Sequence, residues 1–275
     1  MRKTKRNKLN NGKPPMADQA DIHILYEKAV QCAEAEIDFV DETFQRLTNR
    51  QAGILREDFC GTTNTSCEWV KRRDTNTAHS VDLDPDVLEW GKQHHISKLD
   101  EQQKSRIKLY VDDVMKIETP TVDATLTMNF SYWIFRDRKT MKQYFSLVYR
   151  SLKSDGIFFL DAFGGYEAFR EMEESTKHNG FTYVWDQNHY NPITGDATLR
   201  IHFNFKDGSK IEKAFTYHWR IWTLPELTEM LEECGFKASV YWEGDEEDGD
   251  GNGIFTQTKE GDADAGWVAY IVAEK

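Results

Sequence analysis

The chain has 275 residues, 13% of them aromatic, and a formal net charge of −12. That length can bury a full core and fits one domain with an insertion. The aromatic content excludes disorder throughout, and the acidic balance argues against a large nucleic-acid footprint on the folded body.

Residues 1–17 carry Arg2, Lys3, Lys5, Arg6, Lys8 and Lys13 and no acid, which leaves the remainder near −18. With no apolar core the segment is not a secretory signal, and it reads as a disordered basic tail. A nuclear address is the second reading. Cys32, Cys60, Cys67 and Cys234 show no CxxC spacing and read as free thiols in a reducing compartment. No apolar run approaches the length of a membrane span. The expectation is a soluble cytoplasmic protein without a membrane partner.

Ile24, Leu25, Ala29, Val30, Ala33, Ile37, Val40, Phe44 and Leu47 recur at helical spacing and predict one long or broken N-terminal helix over 21–47. Strands are then expected at 53–58, 78–83, 106–111, 122–129 and 156–163, with helices at 64–73, 85–98 and 139–153. Pro85 stands at a helix start and Gly156 just past a helix end. Strands alternating with helices imply a doubly wound parallel sheet, an α/β Rossmann-like fold. A helix is expected over 166–176, followed by antiparallel strands that turn at Lys206-Asp207-Gly208-Ser209. Thr223 and Glu226 form a capping box for a helix ending at Gly235. Final strands are expected at 236–242 and 267–273, the last strand antiparallel. The core is thus 18–165 with 223–275, and 166–222 is an inserted antiparallel cap.

The segment Ile54 to Ser66 reads as a buried strand that ends in Glu57-Asp58 and runs through a tight loop into a helix. Such a turn presents backbone N–H groups and a carboxylate to a nucleotide-like ligand. The next strand ends at Asp82, where a carboxylate can hold ribose hydroxyls. The two features together point to a nucleoside-cofactor site.

This order of motifs resembles that of the class I S-adenosylmethionine-dependent methyltransferases, over roughly residues 50–165 and 223–275. The family loop reads acid-x-Gly-x-Gly-x-Gly. Its positions fall here on Glu57, Phe59, Gly61 and Thr63, so the acid and the middle glycine match while the first and third glycines do not. The resemblance implies S-adenosyl-L-methionine as cofactor, with Asp82 on the ribose and Asp113, or Asp112 one place earlier, on the adenine. The implied cofactor contacts are Glu57, Phe59, Cys60, Gly61, Asp82, Leu83, Asp112, Asp113, Val114 and Asn129. Asp123 opening the fourth strand and Leu152 to Phe159 around Gly156 follow the same pattern.

The sulfonium methyl is already activated, so the chemistry needs an aligned nucleophile and, where that nucleophile arrives protonated, a base. Catalytic candidates are His189, Tyr190, His218 and Tyr132, and substrate-binding candidates are Tyr132, Trp133, Trp219 and Arg220. Nucleobase amino-methyltransferases carry Pro-Pro-aromatic after the fourth strand. Here Asn129-Phe130-Ser131-Tyr132 stands there, so the expected acceptor is a small molecule rather than a nucleic acid. Two alternatives stay open: a non-catalytic methyltransferase-like scaffold, and a protein or RNA methyltransferase using the basic tail. No GxGxxG follows the first strand, which disfavours a nicotinamide enzyme. Asp248 to Gly253 copies the opening of an EF-hand loop. Position twelve falls on Lys259 and the flanks are strands, so it reads as an acidic loop and no metal is expected.

Overall fold

The computed structural model describes residues 14–245 and 251–275. An eight-stranded sheet forms its centre. In chain order its strands are β1 (Ile54–Asp58), β2 (Thr77–Asp82), β3 (Ile107–Val111), β4 (Val122–Thr127), β5 (Leu152–Gly164), and later β10 (Lys237–Asp245), β11 (Gly251–Thr258) and β12 (Trp267–Glu274). Their spatial order is β3-β2-β1-β4-β5-β12-β10-β11. The first five are parallel, and β12 runs antiparallel to β5 and β10. Every residue of β4 is buried, as a central parallel strand requires.

Helices cover both faces. On one side α3 (Ala33–Thr48) and α4 (Asn64–Arg72) bury Ile37, Val40, Phe44, Trp69 and Val70. On the other, α7 (Arg138–Ser151) and α8 (Leu224–Glu233) bury Met141, Phe145, Val148, Leu227 and Leu231. The Thr223–Glu226 capping box starts α8 as expected. The strand order reverses between β1 and β4, and in open α/β sheets ligands bind beyond the carboxyl ends of the strands at that point.

The inserted sheet has order β6-β7-β8-β9 and comprises β6 (Met172–His178), β7 (Phe181–Tyr190), β8 (Asp196–Phe205) and β9 (Lys210–Arg220), all antiparallel. The helix expected over 166–176 is therefore corrected. A turn leads into β6, which pairs with β7 through a two-residue Asn179-Gly180 loop with Gly180 at φ +99°. That dipeptide is a strong hairpin signal, and pairing overrides the helical preference of the Glu-rich run. The acidic segment also holds β11, which the sequence reading missed; Asp248 to Asp250 of the EF-hand-like stretch lie outside the described residues. The helix expected over 85–98 stops at His94 as α5 (Pro85–His94). A 3-10 turn and a short α6 (Glu101–Ser105) follow it.

The N-terminal helix is broken. Short α1 (Met16–Gln19) and α2 (Ile22–Val30) precede α3. Residues 14–17, expected in the tail, are ordered: the Met16 and Ala17 amides donate to Asp207 and Ser209 at the β8–β9 turn. Residues 1–13 lie outside the described residues. Among those described, no helix is long and apolar enough to cross a membrane.

Candidate functional site

Beyond the carboxyl ends of β1, β2 and β4 lies a cavity of about 370 Å³. The loop after β1 forms its floor. Phe59, Gly61 and Thr63 all take left-handed backbone, at φ 58°, 49° and 63°. These are the three positions where the resembling family has glycine. The loop keeps a glycine-type path although two of the three residues carry side chains, at a strain of about 1 kcal/mol each. Packing holds it there: the Phe59 ring sits 6.1 Å from those of Phe135 and Tyr144. Close approach of backbone to helix is supplied from the other side, by Gly91 of α5. A Cβ there would lie 2.3 Å from the Thr62 carbonyl oxygen.

Carboxylates fix this loop. Asp82 accepts the Gly61 amide at 2.8 Å and the Asp84 amide at 2.9 Å. Glu57 accepts the amide of Ser66 at 3.0 Å and also its hydroxyl. Glu57 keeps only partial exposure, and burial pushes its carboxyl up to about 8 despite the Ser66 bonds. Asp58 is different: it is buried in an ion pair with Arg56 at 2.7 Å and accepts the Tyr144 hydroxyl at 2.9 Å.

Glu57, Phe59, Cys60, Gly61, Asp82 and Asn129 line the cavity. Leu83 is largely exposed and Val114 lies in the core; neither is part of the lining. Asp112 and Asp113 follow β3 and are also outside it. Asp113 caps its own turn through the Met115 amide and pairs with Lys116, while Asp112 is exposed and its amide donates to the Asp82 carbonyl.

The individual residues of the roof belong to no motif. His23, Tyr26 and Gln31 close the cavity from the N-terminal segment. Two carboxylates pin that segment. Asp21 accepts the Trp90 indole N–H at 2.7 Å, and Glu27 accepts the Thr62 hydroxyl at 2.6 Å and lies 2.6 Å from His95 Nε2.

A second cavity, of about 470 Å³, shares Tyr26, Asn129, Tyr217 and Trp219 with the first. Its further walls are Phe130, Phe163, Tyr183, Trp185 and Trp267, with Glu167, Glu174, Glu243 and Gln187 among them. The junction is a strained turn. Asn129 and Phe130 are both at φ 57°, and their amides donate to Asp161 at 2.7 and 2.9 Å. Asp161 is buried, which pushes its carboxyl up to about 7.

Of the acceptor-side candidates, Trp219 alone lines these cavities. Tyr132 is fully buried and donates its hydroxyl to the Asp161 carbonyl at 2.7 Å, and Trp133 is fully buried, stacked on Phe163. His218 is exposed beside Thr198, because alternation along β9 sends Tyr217 and Trp219 inward and His218 outward. A register shift between Gln187 and His189 separates that histidine from the lining; it is exposed and pairs with Glu171. Tyr190 packs on Phe169. Arg220 lies over the Trp222 ring at 3.8 Å and pairs with Glu226 at 2.8 Å. The alternating run Tyr183-x-Trp185-x-Gln187 and its counterpart Tyr217-x-Trp219 are the signals that mark the true lining.

Among the described residues, no lysine or arginine lines either cavity, while carboxylates line both. No cluster of three or more metal-type ligands occurs among them.

No family model and no curated protein matches the chain. Solved structures do match it. An S-adenosylmethionine-dependent methyltransferase from Clostridium acetobutylicum is 16% identical, with TM-score 0.70 over 92% of this chain and 96% of that one. An amino pentose methyltransferase from Micromonospora echinaspora is 13% identical, with TM-score 0.65 over 92% and 96%. A sugar N-methyltransferase from a Streptoalloteichus species is 14% identical, with TM-score 0.62 over 99% of each chain. Strand order, antiparallel β12, inserted sheet and these likenesses agree: the chain has the fold of the class I S-adenosylmethionine-dependent methyltransferases.

Proposed function

We propose that this protein is an S-adenosylmethionine-dependent methyltransferase acting on a small amine. The observation that carries this reading is a nucleoside-type cavity lined by Glu57, Asp58, Asp82 and Asp84 and by no lysine or arginine among the described residues. A dinucleotide would bring a pyrophosphate into that acidic field, whereas adenosylmethionine brings a sulfonium and an ammonium group. When bound, it supplies a methyl group already activated for transfer. In this reading Asp82 holds the ribose, and the 59–63 loop with Glu57 holds the methionine part. Asp112 is better placed than Asp113 for the adenine: each carboxylate accepts one amide of this turn, and Asp113 is also paired with Lys116.

The second cavity then takes the acceptor. Aromatic faces with three glutamates attract a cationic nitrogen. The fold's likeness to proteins described as N-methyltransferases favours the same acceptor. An ammonium must lose its proton before its lone pair can attack, and the cavity carboxylates are the groups that can accept it. Tyr26 and Tyr217, which line both cavities, would align the nitrogen with the methyl. His189, His218, Tyr190 and Tyr132 take no part in the proposal.

The experiment has two steps. Calorimetry should show adenosylmethionine binding that Asp82→Ala weakens about tenfold or more, the loss of one charge-assisted anchor; unchanged binding removes the site assignment. Methyl-labelled donor with matched panels of small amines and alcohols should label the amines. Labelling confined to alcohols would overturn the amine reading and leave the donor reading intact.

A further inference from the structure

One carboxylate lines the donor cavity and two more lie behind its lining, from three elements, and among the described residues no cation answers them. Glu57, next to last in β1, lines the cavity. Glu36 of α3 is 8% exposed and accepts the hydroxyl of Thr65, itself a lining residue, at 3.2 Å. Asp161 of β5 is 6% exposed and holds Asn129 and Phe130, where donor and acceptor cavities meet. The charged groups that bear on Glu57 are Glu36 and Asp82, and the one that bears on Asp161 is Glu36. The other titratable groups facing them are neutral: Cys60 and Cys67 near Glu57, and Tyr26, Tyr132 and Tyr270 near Asp161.

The same chain neutralises its other buried acids. Asp58 has Arg56, and Asp123 has Arg50 and Lys153. Leaving buried carboxylates unanswered costs stability, because burial disfavours their charged form. Burial raises Glu36, and it moves Glu57 up to about 8 and Asp161 up to about 7. The cost is offset when a cation enters the cavity.

Building on the donor reading above, we propose that Glu36, Glu57 and Asp161 determine specificity for the donor's charge, holding the sulfonium form in preference to the thioether left after transfer. In the transfer the amine lone pair forms the new N–C bond, and the S–C bond breaks with its electron pair going to sulfur. The positive charge passes to the methylated nitrogen and leaves as its proton or with the product. The sulfur is then neutral while the ammonium remains, so the three carboxylates keep only part of their counter-charge and take some protons back, and the spent donor is released more readily than a fresh one. Methyl transfer itself loosens its own by-product.

Calorimetry on the full chain at pH 7 with adenosylmethionine, sinefungin and S-adenosylhomocysteine tests this. Repeating each titration in buffers of different ionisation enthalpy counts the protons exchanged. Adenosylmethionine should bind about tenfold tighter than S-adenosylhomocysteine, the factor a modest charge interaction gives. Sinefungin, with an amine in place of the sulfonium, should follow adenosylmethionine. Proton release should be larger with the two cations than with the thioether, which brings the ammonium alone. Glu36→Gln keeps an acceptor for Thr65 and should shrink the preference about threefold, with S-adenosylhomocysteine affinity little changed. Equal or tighter binding of S-adenosylhomocysteine to the wild-type protein overturns the inference even if the variant fails to fold. Binding of none of the three overturns the donor reading instead.

Discussion

The two cavities that meet at Asn129 are built on opposite plans. The donor side is a backbone structure: a left-handed loop, a helix start and strand-end carboxylates that hold amides in place. The acceptor side is a side-chain structure, with aromatic rings projecting from β7 and β9 and from the ends of β5 and β12. A backbone site tolerates changes of side chain as long as the path survives, which is how Phe59 and Thr63 stand where glycines are expected. A side-chain site has no such tolerance and can change its ligand by a few substitutions on a fixed sheet.

The largest expected effect breaks the comparison where the two plans join. Asp161→Ala orphans the half-buried Asn129 and Phe130 amides, and should cost about 2–4 kcal/mol in urea unfolding, with loss of both donor binding and turnover. The next effect is one of pH. The folded protein keeps protons on Glu57 and Asp161 that the unfolded chain has already lost. Stability of the ligand-free protein should therefore fall as pH rises from the ordinary carboxylate range to about 8. Glu57→Gln should flatten that slope in unfolding curves measured from pH 5 to pH 8. Asp21, Asp123 and Asp155, whose carboxyls are held low by their partners, act in the opposite sense and only in the acid range below that window.

A smaller change sharpens the contrast. Trp185→Ala removes an acceptor wall that the donor cavity does not share, and should raise the acceptor KM about tenfold while donor Kd stays within about threefold. An equal loss on both sides would mean that the two cavities act as one. Smallest of all is Thr63→Gly. It relieves a left-handed threonine whose buried hydroxyl has no partner, and gives up some packing in exchange. Unfolding free energy should move by less than about 1 kcal/mol, with donor affinity kept.

Legibility followed the same division. The alternation of β1 to β5 with α4, α5 and α7, the capping box of α8 and the antiparallel insertion were all readable, because each depends on local periodicity or on a local stop signal. Asp82 and Glu57 were readable as cavity-lining acids because they lie at the carboxyl ends of β2 and β1, within one residue of the strand end. β6 was missed because its glutamate-rich run has a helical preference that pairing through the Asn179-Gly180 turn overrides. β11 was hidden in an acidic stretch that pairs only because β10 offers it an edge. His189 and His218 attracted notice as chemically versatile residues, yet the bulge in β7 and the alternation of β9 leave both outside the lining.

By itself the sequence determined the doubly wound sheet, its inserted antiparallel partner and the strand-end acids, since hydrophobic period and turn chemistry act over a few residues. Only the tertiary structure decided which aromatics face inward, that α2 roofs the donor cavity, and that Gly91 supplies from α5 the room a glycine loop would otherwise provide. Those outcomes depend on contacts between segments far apart in the chain, and no local pattern encodes them.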